Sequence, residues 1–115
     1  MSPIQKQKSA GEVGAEPAAL SQLVDYQPGA VVSREVIARP GGSVTLFAFD
    51  EGQGLSEHTA PFDALVSVLD GEAQVTISDR TVAVAAGQMI VMPANRPHAL
   101  KARRRFKMLL VMIRS

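Results

Sequence analysis

A chain of 115 residues with 46% hydrophobic and 20% charged side chains has the make-up of one globular domain, large enough to bury about 65% of the surface its unfolded form exposes. Having no cysteine, it cannot build a disulfide framework, a thiolate metal site or a cysteine nucleophile, and a metal would ordinarily have to take nitrogen or oxygen ligands. A net charge of +1 sets up no overall field for nucleic acid or an anionic membrane, no signal-peptide core or bilayer-length apolar run is visible, and a cytoplasmic location is expected.

In chain order, residues 1–16 are polar and rich in small side chains, and are expected to be flexible or to run along the outside of a domain spanning 17–115. Pro17 followed by Ala18, Ala19, Leu20, Gln22, Leu23 and Val24 predicts a short helix with proline in its first turn, ended by Pro28 and Gly29. From there the pattern changes to strands. Residues 31–39 and 44–49 flank Pro40-Gly41-Gly42, which predicts a hairpin. Residues 65–69 and 73–77 flank Asp70-Gly71, where glycine supplies the positive φ of a tight hairpin. Residues 81–85 alternate, with Val82 and Val84 on one face, and the apolar run 89–92 is closed by Pro93. Residues 106–113 are apolar at nearly every position, enough for burial on both sides or for a subunit contact.

Lys101, Arg103, Arg104, Arg105 and Lys107 form the one basic run and read as a solvated turn between strands. As a phosphate or nucleic-acid patch it would want stacking aromatics, and only Phe106 adjoins it. Short strands at regular spacing, with no crossover helices, predict an all-β antiparallel sandwich or barrel.

Two segments carry the most specific pattern. Gly52 is followed after five residues by His58 and later by Gly71; Gly87 is followed after five residues by Pro93 and then by His98. Glycine supplies backbone conformations closed to other residues and proline ends a strand, so these are residues of the fold. They are expected to bring His58 and His98 onto adjacent strands facing the interior. In this order and spacing the two segments resemble the paired motifs of the small single-domain cupins, the RmlC-like cupin type-2 proteins. The resemblance implies an antiparallel double-stranded β-helix, or jelly-roll barrel. It also implies a metal held by three histidines and a glutamate. Here Ala60 stands at the second histidine position and Ala64 at the glutamate position, while Asn95 replaces a usual glycine and Ala102 a usual asparagine.

His58 and His98 are therefore the candidate catalytic or ligating residues, with three readings open. They are hydrogen-bonded relics in a polar pocket, or they hold a loosely bound divalent transition metal with waters or Asp63, or they act without metal as general base, acid or ligand-binding groups. Asp63 is the nearest carboxylate, but strand alternation turns it away from the face carrying Ala64 unless Pro61 interrupts the alternation. Glu57 should face outward by the same parity. Met92 and Met108 are thioethers that would suit copper(I), although methionine in an apolar stretch more often serves packing. Phe47, Phe49, Ala60, Phe62, Ala64, Val66 and Met92 are expected to line a mainly apolar pocket for a small molecule. The expected function is ligand binding of undetermined activity. The alternatives are a metal-dependent dioxygenase or isomerase and a non-catalytic sensor or accessory protein. A homodimer through the last strand or residues 31–39 is expected, with no nucleic-acid or membrane partner.

Overall fold

The structure, a computed structural model, describes residues 4–7 and 14–114. Of the expected outer segment, residues 1–3 and 8–13 lie outside the described residues, as does Ser115. The described residues form ten strands: β1 (Ile4–Lys6), β2 (Val31–Arg39), β3 (Gly42–Phe49), β4 (Gly54–His58), β5 (Phe62–Asp70), β6 (Glu72–Ile77), β7 (Arg80–Ala85), β8 (Met89–Met92), β9 (His98–Lys101) and β10 (Phe106–Arg114). They make a six-stranded sheet ordered β1-β2-β3-β10-β5-β8 and a four-stranded sheet ordered β4-β9-β6-β7. From β4 onward the chain weaves between the two sheets, and every pair is antiparallel except β1 with β2, which run parallel.

Alternation in the strands decides what the sheets enclose. Along β5, Ala64, Val66 and Val68 are buried, and in β10 Phe106 and Met108 are buried on the same inner side. These side chains meet Val75 and Val84 of the smaller sheet in the main core, where Phe49 stacks on Phe106 with ring centroids 4.5 Å apart. A second cluster, Val24, Ala30, Val32, Leu46 and Ala48, covers one end of the outer face of the larger sheet and takes in Leu109. The apolar run of β10 is thus explained largely within one chain, since one face looks into the barrel and Leu109 on the other lies under the segment that precedes β2.

Two local expectations are corrected. The predicted helix after Pro17 is a single 3-10 turn, Leu20–Gln22, with Ala19 extended at φ −75 and ψ 121 and no side-chain cap. One turn without a cap does not recover the cost of helix nucleation, and the chain bends at Leu23 and Val24 straight after it, with Val24 buried. The hairpin predicted across Asp70-Gly71 is a crossing between sheets, because β5 lies in the larger sheet and β6 in the smaller. Gly71 does have a positive φ of 73. A Cβ on it would stand 2.2 Å from the Arg105 carbonyl oxygen and 3.0 Å from the Phe106 Cα, so the position needs glycine for close approach as well as for φ. The hairpin across Pro40-Gly41 forms, with Arg39 opposite Gly42.

Candidate functional site

The last residue of β4 and the first of β9 are His58 and His98, and the two stand opposite each other as an antiparallel pair. Their ring centroids are 4.4 Å apart with the planes at 71°, and the two Nε2 atoms approach to 3.2 Å. On the far side of each ring Nδ1 meets a backbone carbonyl, Ser56 at 2.8 Å from His58 and Arg96 at 3.1 Å from His98. A carbonyl only accepts, so each Nδ1 carries the proton and donates it. In their neutral forms the two imidazoles then each present a lone pair at Nε2, and these nitrogens stand 3.2 Å apart. Such a pair is satisfied only when a proton, a ligand's O–H or N–H, or a cation comes between or beside the nitrogens. His98 is 4% exposed. Burial holds its pKa below the usual 6.5, the Arg96 carbonyl opposes that shift, and electrostatic repulsion between the two rings adds to it.

The pair stands at one end of a cavity between the sheets. The cavity measures about 50 Å³, or about 400 Å³ when its open mouth is counted. Of the residues expected to line it, Ala60, Phe62, Ala64 and Met92 do so beside His58 and His98. Phe47, Phe49 and Val66 do not; they sit in the main core, Phe49 and Val66 with no exposed surface. Val66 lies two residues beyond Ala64 on β5, and Phe47 and Phe49 lie on β3, which contributes no residue to the lining. Leu55, Leu100, Met108, Leu110 and Met112 complete the lining. Of these, Leu100, Leu110 and Met112 were within reach of strand parity, being two residues beyond His98 and two and four beyond Met108. Leu55 was not, because the register shifts between Leu55 and His58, so residues an odd number apart both face inward.

Asp63 is exposed on the other face of β5, and its Oδ1 accepts a hydrogen bond from the Ala94 backbone N–H at 2.9 Å. Pro61 does not turn it inward. Glu57 is exposed as well. Among the described residues no group of three or more histidine or carboxylate side chains converges. The nitrogen and oxygen ligand set implied by the resemblance therefore does not fit this chain, where methyl groups occupy two of its four positions. Asn95, at the usual glycine position, has φ 64, a conformation asparagine tolerates better than most residues, and its N–H donates to the Ala60 carbonyl at 2.8 Å.

The basic run extends from the end of β9 into the start of β10, and Arg103, Arg104 and Arg105, in the connection between them, are exposed. Arg105 lies over the Tyr26 ring at 4.6 Å, and the Lys107 ammonium, 4.9 Å from the same ring, donates to the Ser21 carbonyl at 2.6 Å. Tyr26 in turn donates to Asp70 at 2.6 Å. These contacts fasten the segment before β2 to the larger sheet. No helix among the described residues is long and apolar enough to cross a membrane.

The model of the cupin domain family matches residues 45–113, which include both histidines. A conserved protein of unknown function from Streptococcus pyogenes is 38% identical, with a TM-score of 0.85, over 94% of this chain and 98% of its own. A cupin 2 conserved barrel domain protein from Leptotrichia buccalis is 41% identical with a TM-score of 0.80; 82% of this chain is covered, but only 46% of that one. A cupin superfamily protein from Desulfitobacterium hafniense is 27% identical with a TM-score of 0.85, covering 90% of this chain and 95% of its own. No curated protein sequence matches the chain. With the family model covering well over half of the sequence and the two-sheet barrel carrying both motif histidines, the chain belongs to the cupin domain family.

Proposed function

We propose that this cupin binds a compact, mainly apolar small molecule that offers a hydroxyl or amine hydrogen to the histidine pair. The observation that carries the reading is the convergence of the two Nε2 atoms at 3.2 Å with both Nδ1 atoms already committed to carbonyls. An O–H or N–H donor supplies what the two lone pairs lack. The rest of the cavity is lined mainly by aliphatic and aromatic carbon and by thioether sulfur, which favours an apolar body. A volume of about 50 Å³ inside and about 400 Å³ with the mouth, with His58 itself exposed, suits a molecule whose polar group meets the pair while its apolar part lies against the carbon lining.

The test is calorimetric binding of phenol against toluene, in which a methyl group replaces the hydroxyl, to the wild type and to His58→Ala and His98→Ala. A neutral hydrogen bond is worth about 0.5–1.5 kcal/mol net, so phenol should bind roughly 2- to 10-fold more tightly, and each histidine variant should erase that margin. Equal binding of phenol and toluene, or a margin that survives both variants, would remove the reading. With a substrate in hand, lost turnover at retained affinity would make the pair catalytic, and loss of affinity alone would make the protein a binding module.

We also propose a homodimer in the cytoplasm through the outer face of the larger sheet. One row of outward side chains, Ile37, Val44, Val111, Leu65 and Val91, runs in register across β2, β3, β10, β5 and β8. Ile37 is 45% exposed, Val91 46% and nearby Ile113 58%. β10 is paired on both sides, so it would contribute its face and not a free edge.

A further inference from the structure

We propose that the cavity is a site for a soft monovalent metal ion, copper(I), held by His58 and His98 together with methionine sulfur. It rests on the lone-pair reading of the histidines above and adds a second set of donors. Ala64, which stands where the family pattern has its glutamate, is paired on one side with Met92 of β8 and on the other with Met112 of β10. Residues paired across an antiparallel sheet share a face, with Cβ atoms about 4.5–5.5 Å apart. The position of the missing carboxylate is thus a methyl group flanked by two long thioethers, and both line the cavity with the histidines. Met108, fully buried, adds a third sulfur to the lining.

Three physical features select the ion. Thioether and imidazole are neutral donors, and thioether sulfur is the ligand type that prefers copper(I) over harder divalent ions. Neither Asp63 nor Glu57 reaches the cavity, so an ion there has no anion to compensate it. The desolvation cost of an ion grows with the square of its charge, which makes a divalent ion about four times as costly as a monovalent one in the same apolar walls. Finally, with metal–nitrogen bonds of about 2.0–2.1 Å, two nitrogens 3.2 Å apart subtend roughly 100–105° at the metal. That is close to tetrahedral and leaves positions for sulfur. Both Nδ1–H groups are held by backbone carbonyls, the arrangement that fixes metal-ligating histidines.

The experiment is an anaerobic titration of the purified full chain with copper(I) against a chromogenic copper(I) chelator, with zinc(II) titrated in parallel. X-ray absorption at the copper edge is recorded on the loaded protein. Wild type should withhold one equivalent of copper(I) and show copper–sulfur scattering. Met92→Leu with Met112→Leu is close to volume-conserving. It should keep its circular dichroism and thermal transition, lose 10-fold or more in copper(I) affinity and lose the sulfur signal, while zinc(II) is held only weakly by wild type and variant alike. His58→Ala should abolish copper(I) binding. Copper(I) affinity within twofold of wild type in the folded methionine variant, or copper with only nitrogen neighbours, would overturn the sulfur site while leaving the lone-pair reading of the histidines intact. Failure of wild type to withhold copper(I) would overturn the site too, and the phenol and toluene comparison would then judge the histidine pair alone.

Discussion

Replacing Gly71 and Gly52 in parallel separates two reasons for a glycine. Both have positive φ, 73 and 85, so alanine pays the left-handed penalty of about 1–2 kcal/mol at either. Around Gly52 an added Cβ meets no atom within 4 Å, whereas at Gly71 it would stand 2.2 Å from the Arg105 carbonyl oxygen and 3.1 Å from the Phe106 Cβ. Neither neighbour can yield easily. Phe106 is fully buried against Phe49, and Arg105 leads directly into the central strand β10. Forcing a methyl into a packed site costs about 1–3 kcal/mol, so Gly71→Ala should be less stable than Gly52→Ala by about that amount. With a urea slope of about 2 kcal/mol per molar, the midpoints should differ by roughly 0.5–1.5 M. Asparagine sharpens the comparison because it tolerates positive φ: Gly52→Asn should recover stability relative to Gly52→Ala, while Gly71→Asn should not, since the clash is with the Cβ itself. Equal midpoints for the two alanine variants, or recovery in Gly71→Asn, would refute the close packing of the crossover on β10.

Asp63→Ala should lose the hydrogen bond to Ala94 and destabilise the protein by about 0.5–1.5 kcal/mol in urea unfolding, while Asp63→Asn, which keeps an acceptor, should lose less. Neither change should alter copper(I) or phenol binding, and a drop in copper(I) affinity in Asp63→Asn would make the carboxylate a ligand. Stability should also depend on pH through His98. Its folded pKa lies below the unfolded 6.5, so below pH 6.5 the unfolded chain binds more protons, and stability is full above that value and falls as pH drops toward the folded pKa. Urea midpoints measured between pH 7.5 and 5 should fall more steeply for wild type than for His98→Gln, and parallel slopes would contradict the burial assigned to this imidazole.

Much of the fold was legible because strand chemistry is local. Turn residues and period-two alternation located the cores of β2, β3, β5, β6, β7, β8 and β10, and the spacing of Gly52, His58, Gly87, Pro93 and His98 was enough to identify the family pattern. Alternation also kept Asp63 out of the site, and the alanines at 60 and 64 were visible as lost ligands from the residues alone. The segment after Pro17 misled because its apolar residues satisfy a helical pattern over too few turns to nucleate one, and the buried surface that decides their conformation belongs to Leu46, Ala48 and Leu109, distant in sequence.

The amino-acid sequence by itself determined the class of fold, the family and the two imidazoles, since each depends on residue types at short, regular spacings. Tertiary structure alone decided three other matters. Which strands share a sheet depends on pairings between distant segments, so the turn at Gly71 is identical in sequence whether it closes a hairpin or crosses the barrel. Which side chains reach the cavity depends on the register shift between Leu55 and His58, and a bulge reverses the parity on which strand reading rests. That Met92 and Met112 flank Ala64 follows from the register of β8 and β10 on β5, a relation among residues 28 and 48 positions from Ala64 along the chain that only their hydrogen-bonded ladders make neighbours.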